Sequence, residues 1–183
     1  GAATFGDGHW IGMNPGFPGA DAVVYATAVD SSGRLYIGGD FVNESVKPRT
    51  FNMSYGRVVF NGTQPQTFEV AGLDLGATLS GFKTTQNTMG DAGGSAHTNF
   101  SIGTLEVAAG SYLTLGNGIA NTAGTASCQE ALYVRKLVLG AGATLRALDC
   151  KLYYGTFIDN GGVLLVSGCG AIASAGLPPA LSV

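Results

Sequence analysis

The fold is decided by the stretch Leu105-Glu106-Val107-Ala108-Ala109-Gly110-Ser111-Tyr112-Leu113-Thr114-Leu115. It recurs as Leu137-Val138-Leu139-Gly140-Ala141-Gly142-Ala143-Thr144-Leu145-Arg146-Ala147 and, more loosely, as Ile158-Asp159-Asn160-Gly161-Gly162-Val163-Leu164-Leu165-Val166. In each copy, apolar residues occupy every second position, a turn of small residues interrupts the pattern, and the pattern then resumes. We align 105 with 137 and 139 with 158. Such a repeat is typical of one coil of a β-solenoid, so we predict an all-β parallel β-helix, or β-solenoid, preceded by an irregular β-hairpin N-terminal region.

The composition supports a turn-rich β protein. Glycine makes up 30 of 183 residues, charged residues only 11% and apolar residues 45%. Disorder is not expected, because strands rich in Val, Leu, Ile and Tyr recur between the glycines. The net charge of −3 excludes the basic footprint of a nucleic-acid-binding domain. No apolar run is long enough to span a membrane, and no charged-then-apolar segment opens the chain, so we expect no signal peptide in it.

The repeat predicts which side chains face the core. The first coil contributes Ile102, Leu105, Val107, Leu113 and Leu115. The next two coils contribute Leu132, Val134, Leu137, Leu139, Leu145 and Leu148, then Leu152, Tyr154, Ile158, Leu164, Val166 and Ile172. An insertion at 116–127 separates the first coil from the second.

Two hairpins are predicted before the repeat. The first joins strands at 23–30 and 34–41 through a turn with Gly33. The second joins 55–60 and 66–70 around Asn61-Gly62, a strong hairpin signal. We therefore divide the chain into an N-terminal hairpin region at 1–68 and a solenoid at 69–183, with a loop over 84–94.

The first hairpin resembles one repeat of the bacterial extracellular β-propellers over about 8–42. The matching residues are Trp10, Gly12-Met13, Val24-Tyr25-Ala26, Ala28-Val29-Asp30, Ser32-Gly33, Leu35-Tyr36 and Gly38-Gly39-Asp40-Phe41. A propeller needs four or more blades, whereas this chain has one copy. The resemblance thus implies either the remnant of a longer precursor or a single blade recruited as a cap.

The segment at about 100–170 resembles the passenger-type β-helices of bacterial secreted and autotransporter proteins. The resemblance rests on the run that begins at Ala131-Leu132-Tyr133-Val134 and ends at Asn160-Gly161-Gly162. It implies a β-helix and an extracellular or cell-surface location. It does not imply one function, because such solenoids serve as adhesins, polysaccharide-acting enzymes and scaffolds.

The three cysteines do not form a zinc-binding pattern. Aligning Gly142 with Gly161 places Cys150 and Cys169 at the same position of successive coils. Neighbouring strands lie about 4.8 Å apart, which allows a Cys150–Cys169 disulfide. The alternative is a pair of small buried thiols, and Cys128, at the end of the irregular insertion, competes for either partner.

No catalytic, cofactor or metal site is predicted, and we expect a non-enzymatic protein. Asp149 and Asp159 lie on neighbouring coils near Arg146 and Lys151, but turn formation explains them better than catalysis. The other aspartates in glycine-rich turns lack a calcium-binding run. The two histidines, His9 and His97, are expected in loops.

Glycan stacking is the alternative binding hypothesis. Adjacent strand residues point to opposite faces, so at least one of Tyr153 and Tyr154 is expected to be exposed. These two tyrosines and Trp10 are the candidate stacking residues. Four Asn-x-Ser/Thr sequons, at Asn43, Asn52, Asn61 and Asn99, matter only in a glycosylating compartment.

The ends of a solenoid expose unpaired backbone groups unless they are capped. The stretch 170–183 is apolar and uncharged, although its prolines favour blunting of the edge. We therefore predict a secreted structural protein whose partner is itself, through head-to-tail assembly into a filament or surface layer. The rival predictions are an adhesin that binds surface glycans and a carbohydrate-active β-helix enzyme. We expect no nucleic-acid partner and no membrane span.

Overall fold

The structure is a computed structural model that describes residues 4–6, 9–11, 27–42, 53–70, 72–82, 101–116, 118–119 and 129–175. Within these ranges the chain forms β-strands, one 3-10 helix at Leu79–Phe82 and no α-helix. The strands are β1 (Thr4–Gly6), β2 (His9–Ile11), β3 (Thr27–Val29), β4 (Arg34–Ile37), β5 (Met53–Phe60), β6 (Gln66–Glu69), β7 (Ile102–Val107), β8 (Tyr112–Gly116), β9 (Ala131–Leu139), β10 (Thr144–Leu148), β11 (Lys151–Asp159), β12 (Val163–Ser167) and β13 (Ala171–Ser174).

Parallel strands build two sheets. One has four strands in the order β12-β10-β8-β6, and the other has seven in the order β13-β11-β9-β7-β5-β4-β3. From β5 to β13, consecutive strands therefore alternate between the two sheets. All pairs in both sheets are parallel except β3 with β4. The all-β prediction is confirmed, and these sheets contain strands from both sides of residue 68.

Glycines in the left-handed region make the tight turns that connect the two sheets. Gly110, Gly142 and Gly161 have φ values of 71°, 67° and 94°. Only glycine adopts such values without strain. The turns also bond to one another, because Gly110 N donates to Ala141 O at 3.0 Å and Gly142 N donates to Gly161 O at 2.9 Å. The small-residue turn of the repeated motif is thus a stacked column of turns.

The core lies between the two sheets and follows the predicted alternation. The predicted residues of the first coil are all fully buried, as are Leu132, Val134, Leu137, Leu139 and Leu145 of the second. Their burial stabilises the fold by roughly 1.5–3 kcal/mol for each side chain. Leu148, by contrast, is only half-buried.

The third coil departs further from the prediction. Ile158 pairs with the outward residue Val138, and Phe157 takes the inward position opposite Leu137. Our alignment of 139 with 158 was wrong by one residue, because Leu139 pairs with Asp159. A one-residue slip turns a side chain to the other face of a sheet, which is why Ile158 was assigned to the core.

The first predicted hairpin is confirmed over its described part. β3 and β4 pair antiparallel with Val29 opposite Leu35. Gly33 has a φ of 76°, and its amide donates to Asp30 O at 2.9 Å. Residues 23–26 of this prediction lie outside the described ranges.

The second predicted hairpin is wrong. β5 pairs with β4 and β7, whereas β6 pairs with β8 in the other sheet. The Gln66 side chain accepts a bond from Gly62 N at 2.7 Å and donates to Ile37 O at 2.7 Å. The segment 61–65 is therefore a corner between two sheets, because this buried amide ties it to the hairpin strand β4.

Candidate functional site

Two stacked tyrosines occupy the outer face of the seven-stranded sheet. Tyr133 and Tyr153 are direct partners in β9 and β11, with ring centroids 4.9 Å apart. Phe82 packs edge-on against Tyr133 with centroids 5.3 Å apart. These aromatic residues form a second apolar cluster, separate from the main core.

The segment 73–82 covers the tyrosine pair and bonds to both hydroxyls. Tyr133 Oη accepts a bond from Leu75 N at 2.8 Å and donates to Gly76 O at 2.8 Å. Tyr153 Oη donates to Asp74 Oδ1 at 3.0 Å, and Lys151 forms an ion pair with the same carboxylate. The polar groups of this cluster are thus bonded to one another, which fits a clamp that holds the segment on the sheet.

The titration behaviour of the cluster follows from these contacts. Burial alone would raise the pKa of Asp74, but hydrogen bonds from Lys151, Gly76 N and Tyr153 lower it below its ordinary value. Burial, followed by the bond to Asp74, raises the pKa of Tyr153 to about 12. Both groups therefore keep one protonation state near neutral pH, which does not suit general acid–base catalysis.

Two of the predicted glycan-stacking residues, Tyr153 and Tyr154, do not share an exposed face in the described structure. Tyr153 is buried with one ring face on Tyr133. Tyr154 is half-buried, packs against the main core and contacts Phe157. Trp10 lies in β2, opposite Phe5, and its side chain lies outside the described part of the structure.

The predicted Cys150–Cys169 disulfide is not formed, because Cys150 is a free buried thiol. Thr144 pairs with Val163 in the four-stranded sheet, but Lys151 pairs with Ala171 in the other. One extra residue between β12 and β13 shifts the alignment, so Cys169 lies beside Asp149, whose Oδ1 accepts the Cys169 amide at 3.3 Å. Cys150 Sγ instead lies 3.3 Å from Leu115 O. Cys128 lies outside the described residues.

Glu69, which was not among our candidates, is a buried carboxylate at the end of β6. Its two oxygens accept bonds from Gly118 N at 3.1 Å and Ile119 N at 2.7 Å. Burial and the neighbouring Glu130 raise its pKa, despite these two bonds. The local sequence Phe68-Glu69-Val70 gives no signal that Glu69 accepts these two bonds, because the donor residues lie 49 and 50 positions away in the chain.

Asp159, which was weighed for catalysis, and Asp30, which was weighed for calcium binding, act in turns. Asp159 Oδ1 accepts bonds from Gly161 N at 2.9 Å and Gly162 N at 2.8 Å. Asp30 Oδ1 accepts bonds from Ser32 N at 2.9 Å and Arg34 N at 3.0 Å.

His9 lies in β2 rather than in the predicted loop, and His97 lies outside the described ranges. Across the described residues, no three His, Cys, Asp or Glu side chains are grouped to hold a metal ion.

The most distinctive surface is the last layer of the two sheets, β12 with β13, which we call the terminal layer. Within the described chain, both strands lie at sheet edges with no neighbour on one side. Val166 continues the buried column of Leu115 and Ala147, yet it is 58% exposed. Its exposure marks the place where the core is left open, in contrast to our prediction that Val166 is buried.

The terminal layer is apolar and uncharged. Val163 and Leu165 are exposed at 49% and 42%, while Leu164 and Ile172 are partly buried against the core. Residues 160–175 contain no Asp, Glu, Lys or Arg. Charged side chains, prolines and bulges usually prevent sheet edges from pairing with other chains. The strands β12 and β13 contain no charged residue and no proline.

No protein family, curated protein or solved structure matches the chain. In the described ranges, no helix combines the length and hydropathy needed to cross a membrane.

Proposed function

We propose that this chain is a non-catalytic structural protein of β-solenoid type that self-associates through its terminal layer. The observation that carries the proposal is the exposure of Val166, an inward-facing residue at the open end of the core. Exposed apolar contacts with unpaired backbone groups favour the addition of a further strand from another molecule. The alternation of parallel strands between two sheets supports the solenoid architecture.

The location belongs to the same proposal. The resemblance of 100–170 to passenger-type β-helices favours an extracellular or cell-surface protein, and assembly into a filament or surface layer fits that setting. A filament requires a second contact at the opposite end. In the described residues the opposite edges are β3 of the seven-stranded sheet and β6 of the four-stranded sheet, and the ion pair between Arg34 and Asp30 lies at the start of β4.

Self-association is tested with the full chain by light scattering during size-exclusion chromatography and by electron microscopy. We expect the apparent mass to rise with protein concentration, and Val166→Glu to abolish the rise. Thr114→Glu is the matched control, because Thr114 lies on β8 in the interior of the four-stranded sheet, next to Arg146. A monomer at all concentrations and at physiological salt would overturn the proposal, as would equal effects of the two variants. If the protein forms closed dimers and no fibres, the filament is ruled out, but self-association through the terminal layer still holds.

A further inference from the structure

A row of basic and hydroxyl side chains crosses the outer face of the seven-stranded sheet. The register places Arg34 opposite Arg57, Arg57 opposite Thr104, Thr104 opposite Lys136 and Lys136 opposite Thr156. The row faces outward because the next residues along three of these strands, Val58, Leu105 and Leu137, are buried in the core. We call these five residues the basic row. Adjacent members are about 4.8 Å apart along the line.

The cations of the basic row are only partly compensated. Arg34 lies 3.7 Å from Asp30, with 43% of its side chain exposed. Arg57 Nη2 bonds to Glu106, and the buried Arg57 Nε has no acceptor in the described structure. Lys136 is exposed and has no carboxylate partner in the described structure. The row therefore holds three cations against two carboxylates, in a chain whose net charge is −3.

The register brings two like charges together in the basic row. Arg34 and Arg57 are direct cross-strand partners, and like charges at such positions repel each other. Tyr36, Asp30 and Glu106 stabilise the charge on Arg34 and raise its pKa. An external anion that lies along the row would add a counter-charge beside Arg34 and Arg57 and would also engage the exposed ammonium of Lys136.

We propose that the basic row binds an extended anionic polysaccharide that runs across the strands. Its carboxylate or sulfate groups contact Arg34, Arg57 and Lys136, and its hydroxyls bond to Thr104 and Thr156. A sugar chain fits better than a nucleic acid, because useful nucleic-acid affinity requires several neutralised phosphates and hydroxyls between charges suit a sugar. This site lies on a different surface from the terminal layer and does not depend on the proposed assembly.

The test is affinity electrophoresis and calorimetry of the full chain at low salt with polygalacturonate, dextran sulfate, neutral dextran and duplex DNA. We expect retardation by an anionic polysaccharide and none by neutral dextran, with the affinity falling as salt rises. Polygalacturonate and dextran sulfate distinguish a carboxylated from a sulfated ligand. Lys136→Gln should weaken binding by roughly threefold to tenfold, and Arg34→Gln with Lys136→Gln by more.

The matched control is Arg146→Gln, which removes the same charge from the outer face of the other sheet, where Arg146 Nε donates to Ser167 Oγ at 2.9 Å. It should leave binding unchanged, and thermal unfolding confirms that each variant folds. Failure of both anionic polysaccharides to bind would overturn the proposal, and so would equal losses in Lys136→Gln and Arg146→Gln. Tighter binding of DNA than of either polysaccharide would overturn the choice of ligand.

Discussion

Tyr133 and Tyr153 are direct partners on neighbouring parallel strands, and their rings stack with centroids 4.9 Å apart. Stacked aromatic pairs stabilise by about 0.5–1.5 kcal/mol beyond the area that they bury. Because both hydroxyls bond to the segment 73–82, the stack also fixes that segment on the sheet. The pair is the centre of the second apolar cluster, and three of the predictions below test its surroundings.

Gly81 has no room for a side chain. A Cβ at this position would lie 1.9 Å from Tyr133 Cε1, so Gly81→Ala must displace either the ring or the segment. We expect a loss of about 1–3 kcal/mol in the free energy of unfolding, which is typical of overpacking. Urea denaturation measures it.

Gly116→Ala is the control for Gly81→Ala. Its added Cβ would lie 3.7 Å from Thr67 Cγ2, an ordinary contact. We expect this variant to stay within about 0.5 kcal/mol of the wild type. Equal destabilisation of the two variants would contradict the assigned contact with Tyr133.

Removing the Tyr133 hydroxyl should cost more than removing that of Tyr153. Tyr133→Phe leaves Leu75 N without its acceptor and Gly76 O without its donor, for which we expect a loss of about 1–3 kcal/mol. Tyr153→Phe leaves Asp74 with its bonds from Lys151 and Gly76, so its loss should be smaller. Denaturant unfolding of both variants compares them, and the reverse order would contradict the clamp.

Asp74 and Glu69 should give opposite pH dependences of stability. The pKa of Asp74 is lowered in the folded state. Its contribution to the free energy of unfolding is therefore present above the ordinary pKa of an aspartate and is lost as pH falls. The free energy of unfolding of Asp74→Asn, relative to the wild type, should therefore fall as pH rises from about 2 to about 5.

For Glu69 the sign is reversed, because burial raises its pKa. Its contribution is present below the ordinary pKa and is lost as pH rises through the raised value. Relative to the wild type, Glu69→Gln should gain stability as pH rises above the ordinary glutamate pKa of about 4.3. Thermal unfolding of Asp74→Asn and Glu69→Gln as a function of pH tests both predictions. If the stability of both variants relative to the wild type changes in the same direction with pH, one of the two pKa shifts is wrong.

The Cys150 thiol should not react in the folded protein. It is fully buried, and burial raises its pKa to about 12, which suppresses the reactive thiolate. Labelling with a thiol reagent should reach Cys150 only as urea unfolds the chain. Peptide mapping without reduction should recover Cys150 unlinked, whereas a Cys150–Cys169 peptide would contradict the register given above.

The sequence predicted the central layers well and the edges poorly. Alternation identified the residues from Ile102 to Leu145 that fill the core, because a strand in contact with neighbours on both sides buries every second side chain. It misplaced Val166, since periodicity shows the face of a residue but not whether another layer covers it. The alignment placed Cys169 over Cys150 because nothing in the local sequence marks the extra residue between β12 and β13.

Long-range contacts explain the other differences. Asn61-Gly62 resembles a two-residue hairpin turn, but the buried Gln66 amide ties this segment to Ile37 and Gly39. At least one of Tyr153 and Tyr154 was expected to be exposed, but Tyr133 covers Tyr153 and Tyr154 is half-buried. Glu69 received no functional assignment, because its partners Gly118 and Ile119 are distant in sequence.

The stacked turns at Gly110, Gly142 and Gly161 differ in length. Four residues link β7 to β8 and β9 to β10, whereas three link β11 to β12. A tandem copy of 142–160 would join Asn160 to Gly142 and would therefore place a second three-residue turn inside the stack. A tandem copy of 140–159 keeps the four-residue turn, so we expect it to add one layer and to lengthen the molecule by one strand spacing.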